Sequence, residues 1–296
     1  DFFHMPMQTR MKRKMTIHLT PGSIGVKADQ NETLQFAHDY GYEAVEPNSE
    51  FLSKVSDDNL KQIRDFMQSR GLVWGSAGLR VDFRGAEELF QDGMKTLPTH
   101  AKALQRAGVT RVGTWLRPTH DKLTYRANFD QHVRRLSAIA GMFEDHGIRF
   151  GLEYVGPKLS WSAQKYPFVH TMAETKELIA ATGKRNLGFV LDSWHWYTAQ
   201  ETKEDLLTLK NSDVVACDLN DAPAGLPVDK QVDNQRELPC ATGVIDLKAF
   251  LSALVEIGYD GPVRPEPFNA ALRAMPKEQI LTVTVEAMKK AFALVA

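Results

Sequence analysis

Apolar and polar residues follow two periods along the chain, one typical of helices and one typical of strands. Within the segment 126–146, apolar residues recur four and three positions apart, at Phe129, Val133, Leu136, Ala140 and Phe143. This spacing places them on one face of a helix that packs inward. Short β-rich runs such as "GIRFGLE" and "GKRNLGFVLD" follow helical segments of this kind. The pattern therefore predicts helices that alternate with strands.

A glycine stands at most of these passages from helix to strand. The junctions "GYEAVE", "GLVWGSA", "GVTRVGT", "GIRFGLE", "GKRNLGFVLD" and "GYDGPVRPE" begin at Gly41, Gly71, Gly108, Gly147, Gly183 and Gly258. Glycine just after a helix supplies the left-handed conformation that ends the last turn without a Cβ clash. The glycines are 30 to 39 residues apart, except for the last interval of 75 residues, which contains a junction without glycine at "KNSDVVACD".

With an opening strand at "MTIHLT", these junctions predict eight strands, each followed by a helix. Eight such units in about 280 residues imply the α/β class and a single closed (β/α)₈ TIM barrel. A doubly wound open sheet is the alternative architecture, but no glycine-rich phosphate-binding turn follows the first strand. We expect the barrel to occupy residues 15–296 as one catalytic domain.

The start of the chain, "DFFHMPMQTRMKRKM", is basic and rich in methionine. No apolar h-region follows it, so it does not match an intact signal peptide. We expect residues 1–14 to form a poorly ordered N-terminal extension outside the barrel.

Composition narrows the class of function. Apolar residues make up 43% of the chain and charged residues 25%, as in ordinary soluble proteins. A net charge of −1 provides no basic surface for nucleic acid or anionic lipid, and no apolar stretch approaches the roughly 18 residues that span a bilayer. Two cysteines, Cys217 and Cys240, are too few for a disulfide framework. We therefore expect a cytoplasmic protein with free thiols and a small-molecule partner.

Four consecutive predicted strands end in an acidic residue. The endings "RFGLE", "LGFVLD", "VVACD" and "PVRPE" place acids at the ends of strands five to eight, at Glu153, Asp192, Asp218 and Glu266. Active sites of this barrel lie at the C-terminal ends of the strands. Because residues two apart share a face of a strand, Val190, Ala216 and Arg264 are predicted to point into the barrel with them.

Four carboxylates at one mouth would repel one another unless a cation lies among them. Oxygen ligands without cysteine favour a hard or borderline divalent ion over a structural zinc. We predict one divalent metal ion held by Glu153, Asp192, Asp218 and Glu266, with Mn²⁺ as the expected metal and Mg²⁺, Co²⁺ or Zn²⁺ as alternatives. For any one acid taken alone, a helix N-cap or a surface position is the competing interpretation.

Several segments resemble the xylose isomerase-like barrel family of sugar phosphate isomerases and epimerases. They are "GLEYVGP", "FVLDSWHWY", "LNDAP" and "ELPCATGVIDLKAFLSALVEIGYDGPVRPEPF". The resemblance extends from about residue 15 to the end of the chain and is strongest after residue 150. That family has a single divalent site, often Mn²⁺, built from Glu, Asp, His and Glu at the ends of strands five to eight.

The resemblance implies Glu153, Asp192 and Glu266 as metal ligands and His195, in "DSWH", as a substrate contact. Strand seven departs from the family pattern, because Asp218 stands where the family has histidine. Aspartate can bind a hard metal, but it adds a negative charge and has a shorter reach. Nearby, Asn220 and Asp221 could assist it.

The implied activity is that of a metal-dependent isomerase or epimerase of a ketose or related sugar or polyol. In that reaction the metal stabilises an enediolate, while Glu153 and Glu266 exchange general-base and general-acid roles from opposite sides of the substrate carbon. Glu46, at the end of strand two, and Lys158, after strand five, are further candidates for substrate binding. His18, near the end of strand one, ranks below them.

Three alternatives stay open. A dehydratase of the inosose type could use the same scaffold and expel hydroxide from the enolate. A phosphodiesterase of the AP endonuclease type would need several zinc ions, many histidines and a basic surface, whereas the nine histidines here are scattered. The aspartate on strand seven also leaves open a non-catalytic sugar-binding barrel. A homodimer stays open too, since barrels of this size often dimerise.

Overall fold

The structure of the protein is a computed structural model that describes residues 13–296. Strands in this range are β1 (Thr16–Leu19), β2 (Ala44–Val45), β3 (Val73–Trp74), β4 (Ala77–Gly78), β5 (Arg111–Trp115), β6 (Thr119–His120), β7 (Arg149–Glu153), β8 (Tyr166–Pro167), β9 (Leu187–Asp192), β10 (Val214–Asp218) and β11 (Pro262–Arg264). All but β6 and β8 belong to one parallel sheet in the order β3-β2-β1-β11-β10-β9-β7-β5-β4. The other two pair with each other in antiparallel fashion.

The sheet closes into a barrel through β3 and β4. These strands lie at the two ends of the sheet order, yet only Gly75 and Ser76 separate them in the chain. They are therefore two halves of the predicted third strand, and the prediction of an eight-unit barrel is confirmed. Within the break, residue 75 must be glycine, since a Cβ there would lie 2.3 Å from Nε2 of His18.

Helices alternate with the strands around the barrel. They are α1 (Gln30–Tyr40), α2 (Ser49–Lys54), α3 (Asp57–Ser69), α4 (Glu87–Ala107), α5 (Tyr125–Glu144), α6 (Lys158–Trp161), α7 (Met172–Thr182), α8 (Ser193–Thr198), α9 (Lys203–Leu207), α10 (Leu247–Glu256), α11 (Ala270–Arg273) and α12 (Lys277–Ala293). The predicted helix at 126–146 is α5, and its residues Leu136, Ala140 and Phe143 are buried in the core. All six junction glycines have φ between 65° and 84°, which confirms the left-handed turns.

Small residues leave room inside the barrel for inward-pointing side chains. A Cβ on Gly113 or on Gly151 would lie 2.9 Å from Cγ2 of Val190, so that valine fills the interior beside both glycines. Val190 also lines a cavity at the C-terminal ends of the strands, together with Ala216 and Arg264, as the alternation along each strand predicts. The packing thus closes the middle of the barrel and leaves its mouth open.

The remaining predictions about the chain concern its termini and thiols. Most of the predicted extension, residues 1–12, lies outside the described residues. Arg13 donates to a Glu43 carboxylate oxygen at 3.0 Å, and its guanidinium lies 4.6 Å from the centre of the Phe292 ring. Both cysteines, Cys217 and Cys240, are free thiols. Within residues 13–296, no helix has both the length and the apolar character needed to cross a bilayer.

Candidate metal centre

A cavity of about 240 Å³ opens at the mouth of the barrel. The strands that carry the predicted acids, β7, β9, β10 and β11, are neighbours in the sheet, so their C-terminal ends meet at one side of this mouth. Glu153, Asp218 and Glu266 line the cavity. Its volume is slightly below the range of about 300–1,000 Å³ that is usual for ligand pockets, which suits a small molecule.

The four predicted acids converge. One carboxylate oxygen from each of Glu153, Asp192, Asp218 and Glu266 lies within 4.8 Å of the others. The first three end their strands, whereas Glu266 lies two residues beyond the end of β11. The acids that end strands in the sequence therefore do lie together in the structure. Their role as metal ligands stays a prediction.

Asn220 holds two of these acids in place. Its side-chain amide donates to both carboxylate oxygens of Asp192, at 3.1 and 3.3 Å, and its carbonyl oxygen accepts from the backbone N–H of Glu266 at 2.8 Å. Asp192 also accepts from the backbone N–H of Trp194 at 2.8 Å, so it is the N-cap of α8 as well. The N-cap interpretation and the site interpretation therefore both apply to the same carboxylate.

Asp221 does not assist Asp218 at the cavity, as the sequence suggested it could. Four backbone N–H groups donate to its carboxylate, at distances of 2.8 to 3.1 Å, from Ala222, Thr242, Gly243 and Ile245. This carboxylate therefore organises the loop that precedes α10 and contributes no free oxygen to the cavity.

Two arginines partly compensate the acids. Arg264, on β11, donates from Nε to Asp218 Oδ1 at 2.7 Å and from Nη2 to Asp218 Oδ2 at 3.3 Å and Glu266 Oε2 at 3.0 Å. Arg236, which the sequence patterns did not single out, is 2% exposed and donates from Nη1 to Asp192 Oδ2 at 2.9 Å. Its Nη2 pairs with Asp233 Oδ1 at 2.9 Å.

The compensation is incomplete. Burial and the neighbouring carboxylates raise the pKa of Glu153 well above its ordinary value, and Glu153 Oε2 is buried without a hydrogen-bond partner among the described residues. Burial raises the pKa of Asp192 to about 7, although Arg236 opposes the shift. Burial is also the main reason that the pKa of Glu266 is raised. Carboxylates are thus held close together where their charged forms are disfavoured.

This arrangement fits a divalent ion. The acids leave an excess of negative charge over the two arginines, one of which also pairs with Asp233, and oxygen donors are the ligands that hard divalent ions take. Glu153 has the freest oxygen, because its Oε2 accepts no hydrogen bond among the described residues. Glu266 Oε2 accepts from Arg264, and both oxygens of Asp192 already accept hydrogen bonds from the chain. Both oxygens of Asp218 are paired with Arg264, so the departure from the family pattern on strand seven coincides with an ion pair inside the chain.

His195 lies next to the acids, as its place in "DSWH" implies. It is 1% exposed, and the backbone N–H of Gly156 donates to its Nδ1 at 3.1 Å. The ring proton is therefore on Nε2, which lies 3.5 Å from Glu153 Oε1 and 3.8 Å from Asp192 Oδ2. Burial lowers the pKa of His195 to about 3, so the ring is neutral.

The other candidates are distributed around the mouth. His18 is buried and lines the cavity, and its Nε2 has no partner among the described residues. Glu46 borders an adjoining cavity of about 510 Å³ that shares Gly78 and Leu79 with the first, and burial raises its pKa. Lys158 is exposed at the start of α6 and is not among the described residues that line the main cavity.

Known proteins resemble this chain over most of its length. A family model described as xylose isomerase-like TIM barrel matches residues 34–291. An inosose isomerase of Halalkalibacterium halodurans is 25% identical over 275 residues, which are 88% of this chain and 92% of that protein.

Solved structures show the same fold. A xylose isomerase domain protein of Alicyclobacillus acidocaldarius superposes with a TM-score of 0.82 and 31% identity, covering 95% of this chain and 99% of that one. The IOLI protein with a binding zinc atom superposes with a TM-score of 0.78 at 20% identity, with the same coverage of 95% and 99%. At 20% identity, the similarity to the IOLI structure shows only that the two proteins share a fold.

Proposed function

Because this chain belongs to the xylose isomerase-like TIM barrel family, we propose that it is an isomerase or epimerase of a small sugar or polyol and that it works with one divalent metal ion. The observation that carries the proposal is the convergence of four carboxylates, three of them buried, beside one small cavity that Glu153, Asp218 and Glu266 line. The inosose isomerase among the relatives supports a ketone of a sugar or cyclic polyol as the substrate class.

The metal would be held by Glu153, Asp192 and Glu266, with Asp218 beside them in its pair with Arg264. When bound, such an ion polarises a substrate carbonyl and stabilises negative charge that develops on the neighbouring oxygens. Mn²⁺ is the metal we expect, and the zinc atom in the IOLI structure makes Zn²⁺ the first alternative.

Glu153 is the proposed base. Its carboxylate is buried, one oxygen has no partner among the described residues, and burial beside the other acids raises its pKa, as is common for groups that transfer protons. It would take a proton from the carbon next to the substrate carbonyl. Glu266, three strands away around the mouth and held by Arg264 and Asn220, would return a proton. Return to the opposite face of the same carbon gives an epimer, and return to the neighbouring carbon gives an isomer.

His195 and Arg236 would orient the acids. Gly156 fixes Nδ1 of His195 as an acceptor, so Nε2–H is its donor. Nε2 lies 3.5 Å from both Glu153 Oε1 and Arg236 Nη2, behind the residues that line the main cavity, so His195 would act chiefly by orienting Glu153. Arg236 Nη1 donates both to Asp192 and, at 3.3 Å, to the backbone oxygen of Glu266. It therefore fixes the distance between the end of β9 and the chain just after β11.

Solvent deuterium exchange tests the proposal. The protein is incubated with Mn²⁺ in D₂O with a panel of ketoses and inososes, and products are identified by NMR and mass. We expect one solvent deuterium in the converted substrate and a loss of at least about 100-fold in exchange rate for Glu153→Gln and for Glu266→Gln. The exposed Glu144 provides the control Glu144→Gln, which should exchange at the normal rate. Unchanged exchange in both site variants contradicts the two-glutamate scheme, and a product that has lost one water indicates a dehydratase instead.

A further inference from the structure

The segment 79–86, "LRVDFRGA", follows β4 and brings an arginine to the wall of the cavity. Arg84, Thr114 and Trp115 all line this cavity. Trp115 ends β5, and in the order of strands around the barrel β5 lies opposite β11. Arg84 therefore belongs to the side of the mouth away from Arg264 and Glu266. The sequence patterns gave no role to this segment.

The backbone around Arg84 is fixed on both sides. Asp82 Oδ1 accepts from the backbone N–H of Arg84 at 2.9 Å and of Gly85 at 3.1 Å, which forms a tight turn. Arg135, a 1% exposed residue of α5, donates from Nη1 to the backbone oxygens of Phe83 and Gly85, both at 2.8 Å. A buried arginine thus anchors the carbonyls that flank Arg84.

The guanidinium of Arg84 is equally constrained. Its Cζ lies 4.4 Å from the centre of the Phe83 ring and 4.1 Å from the centre of the Trp115 ring. Nε donates to the backbone oxygen of Trp115 at 2.9 Å, and Nη2 donates to Thr114 Oγ1 at 2.7 Å and to the same Trp115 oxygen. These contacts use every N–H of Nε and Nη2.

The N–H groups of Nη1 are left without a partner. Within residues 13–296 they donate to no acceptor, and no carboxylate oxygen lies within 4.0 Å of the Arg84 guanidinium. Burial lowers the pKa of Arg84 to about 10, so the group is still a cation at neutral pH. The charges of Asp82 and Glu153 support the cation without pairing with it. Because the guanidinium is stacked and anchored, Nη1 is a preorganised donor that a ligand oxygen can use.

From this geometry we propose that Arg84 forms a subsite for an anionic group, so that the substrate is a sugar or polyol carrying a carboxylate or a phosphate away from the reacting carbon. The inference rests on the proposed function, since it concerns the same cavity. The acidic side of the mouth would bind the carbonyl and hydroxyl end of the molecule, and Nη1 of Arg84 would bind an oxygen of the anionic end.

Binding of three matched ketoses tests the subsite. D-Fructose, D-fructuronate and D-fructose 6-phosphate differ only at carbon 6, and their dissociation constants are measured by calorimetry on the Mn²⁺-loaded protein. We expect at least one of the two anions to bind about tenfold more tightly than D-fructose. Preference for the uronate identifies a carboxylate site, and preference for the phosphate identifies a phosphate site.

Variants assign the preference to one residue. Arg84→Met should reduce the preference for the anion over D-fructose to within about twofold, because the affinity for the anion falls more than the affinity for D-fructose. Arg84→Gln serves as a second uncharged variant if the first unfolds. Arg80→Met is the matched control, because Arg80 lies on the same segment but pairs with Glu50 at 2.7 Å outside the main cavity.

A wild-type protein that prefers neither anion overturns the proposal, and so does a preference that survives the loss of the Arg84 charge. These outcomes are separable from failure of the proposed function. Binding is measured without requiring turnover, so exchange of solvent deuterium without anion preference removes only the subsite. Anion preference without exchange on any ketose or inosose removes the isomerase or epimerase activity and leaves the subsite.

Discussion

Arg236 is the single residue on which the acidic cluster depends most. Besides its bonds to Asp192 and Asp233, its guanidinium lies 5.3 Å from the centre of the Trp194 ring and 4.8 Å from that of Phe268. It is surrounded by protein on all sides and carries the charge that allows Asp192 to be buried. Removing one partner of such a pair leaves an uncompensated buried charge, which costs more than the pair itself contributes.

We therefore expect Arg236→Met to lower the free energy of unfolding by about 3–5 kcal/mol. Urea denaturation at pH 7 without added metal measures it. The control is Arg126→Met, because Arg126 makes an exposed pair with Asp130 on α5, and a change below about 0.5 kcal/mol is expected there. A loss below about 1 kcal/mol for Arg236→Met would mean that the cluster does not need this cation.

Gly156 is a second residue whose identity is fixed by its surroundings. A Cβ at this position would lie 2.6 Å from both the backbone oxygen of His195 and Thr198 Oγ1. Gly156→Ala must therefore push α8 away and break the hydrogen bond that sets the His195 tautomer. We expect a loss of about 1–3 kcal/mol in stability and a lower rate of deuterium exchange. Thermal unfolding is compared with Gly22→Ala, whose Cβ would meet nothing within 4 Å; equal melting temperatures would refute the clash.

The raised pKa of Asp192 should make the stability of the metal-free protein depend on pH. Its pKa is about 7 when folded and near 3.8 when unfolded, so the folded chain binds more protons between these values. The contribution of this carboxyl to stability is present below about pH 4 and is lost as the pH rises to about 7. In the presence of EDTA, unfolding free energies of the wild type should fall relative to Asp192→Asn across that range. Parallel curves would show that Asp192 titrates normally.

At the scale of elements, the segment 79–86 is the part of the mouth that the barrel does not fix by itself. Arg135 reaches it from α5 and also donates to Glu87 Oε2 at 2.9 Å, at the start of α4. One buried side chain thus ties α5, α4 and the segment together. The position of Arg84 is set by a helix that is four elements further along the chain.

Hydrogen exchange can isolate this contribution. Arg135→Met should speed amide exchange in residues 79–86 and destabilise the protein by about 3 kcal/mol, because two buried carbonyls lose their donor. Arg134→Met is a close control, since Arg134 precedes it on α5 and pairs with the same Glu87 but is exposed. Equal exchange of the segment in both variants would indicate that Phe83 and Trp115 hold Arg84 without help from Arg135.

The elements that the sequence predicts well are those with a period. The helix at α5 and the strands that end in acids repeat at helical or strand spacing, so their buried faces and their ends are visible locally. The break between β3 and β4 and the antiparallel pair of β6 with β8 are not visible in this way. At the first, the His18 ring packs against Gly75 from another strand, and the second pairs two short segments that are far apart in the chain.

The same distinction separates the acids from the arginines of the site. Each acid ends or closely follows a strand, so the barrel rule finds it. Arg236 lies in the loop between β10 and α10, and its partners Asp192 and Glu266 are 44 and 30 residues away in the chain. No local pattern encodes such a pairing. Arg84 was missed for the same reason, since Thr114 and Trp115 reach it from the next strand.

At the scale of the whole molecule, the charge is nearly balanced while the mouth of the barrel is not. The chain has a net charge of −1, yet four of its acids and two of its arginines are concentrated at the ends of four neighbouring strands. The barrel brings them together because parallel strands end on one face. The remaining excess of negative charge is what a single divalent ion would neutralise.

Metal titration is therefore the most direct test of the account. Protein dialysed against EDTA and then freed of chelator is titrated with Mn²⁺ in a calorimeter, and the bound metal is counted by mass spectrometry. We predict one ion per chain, with affinity reduced at least about tenfold in Glu153→Gln and in Glu266→Gln. If the wild type binds none of Mn²⁺, Zn²⁺ and Mg²⁺, or if both variants bind as tightly as the wild type, the acidic cluster is not a metal centre.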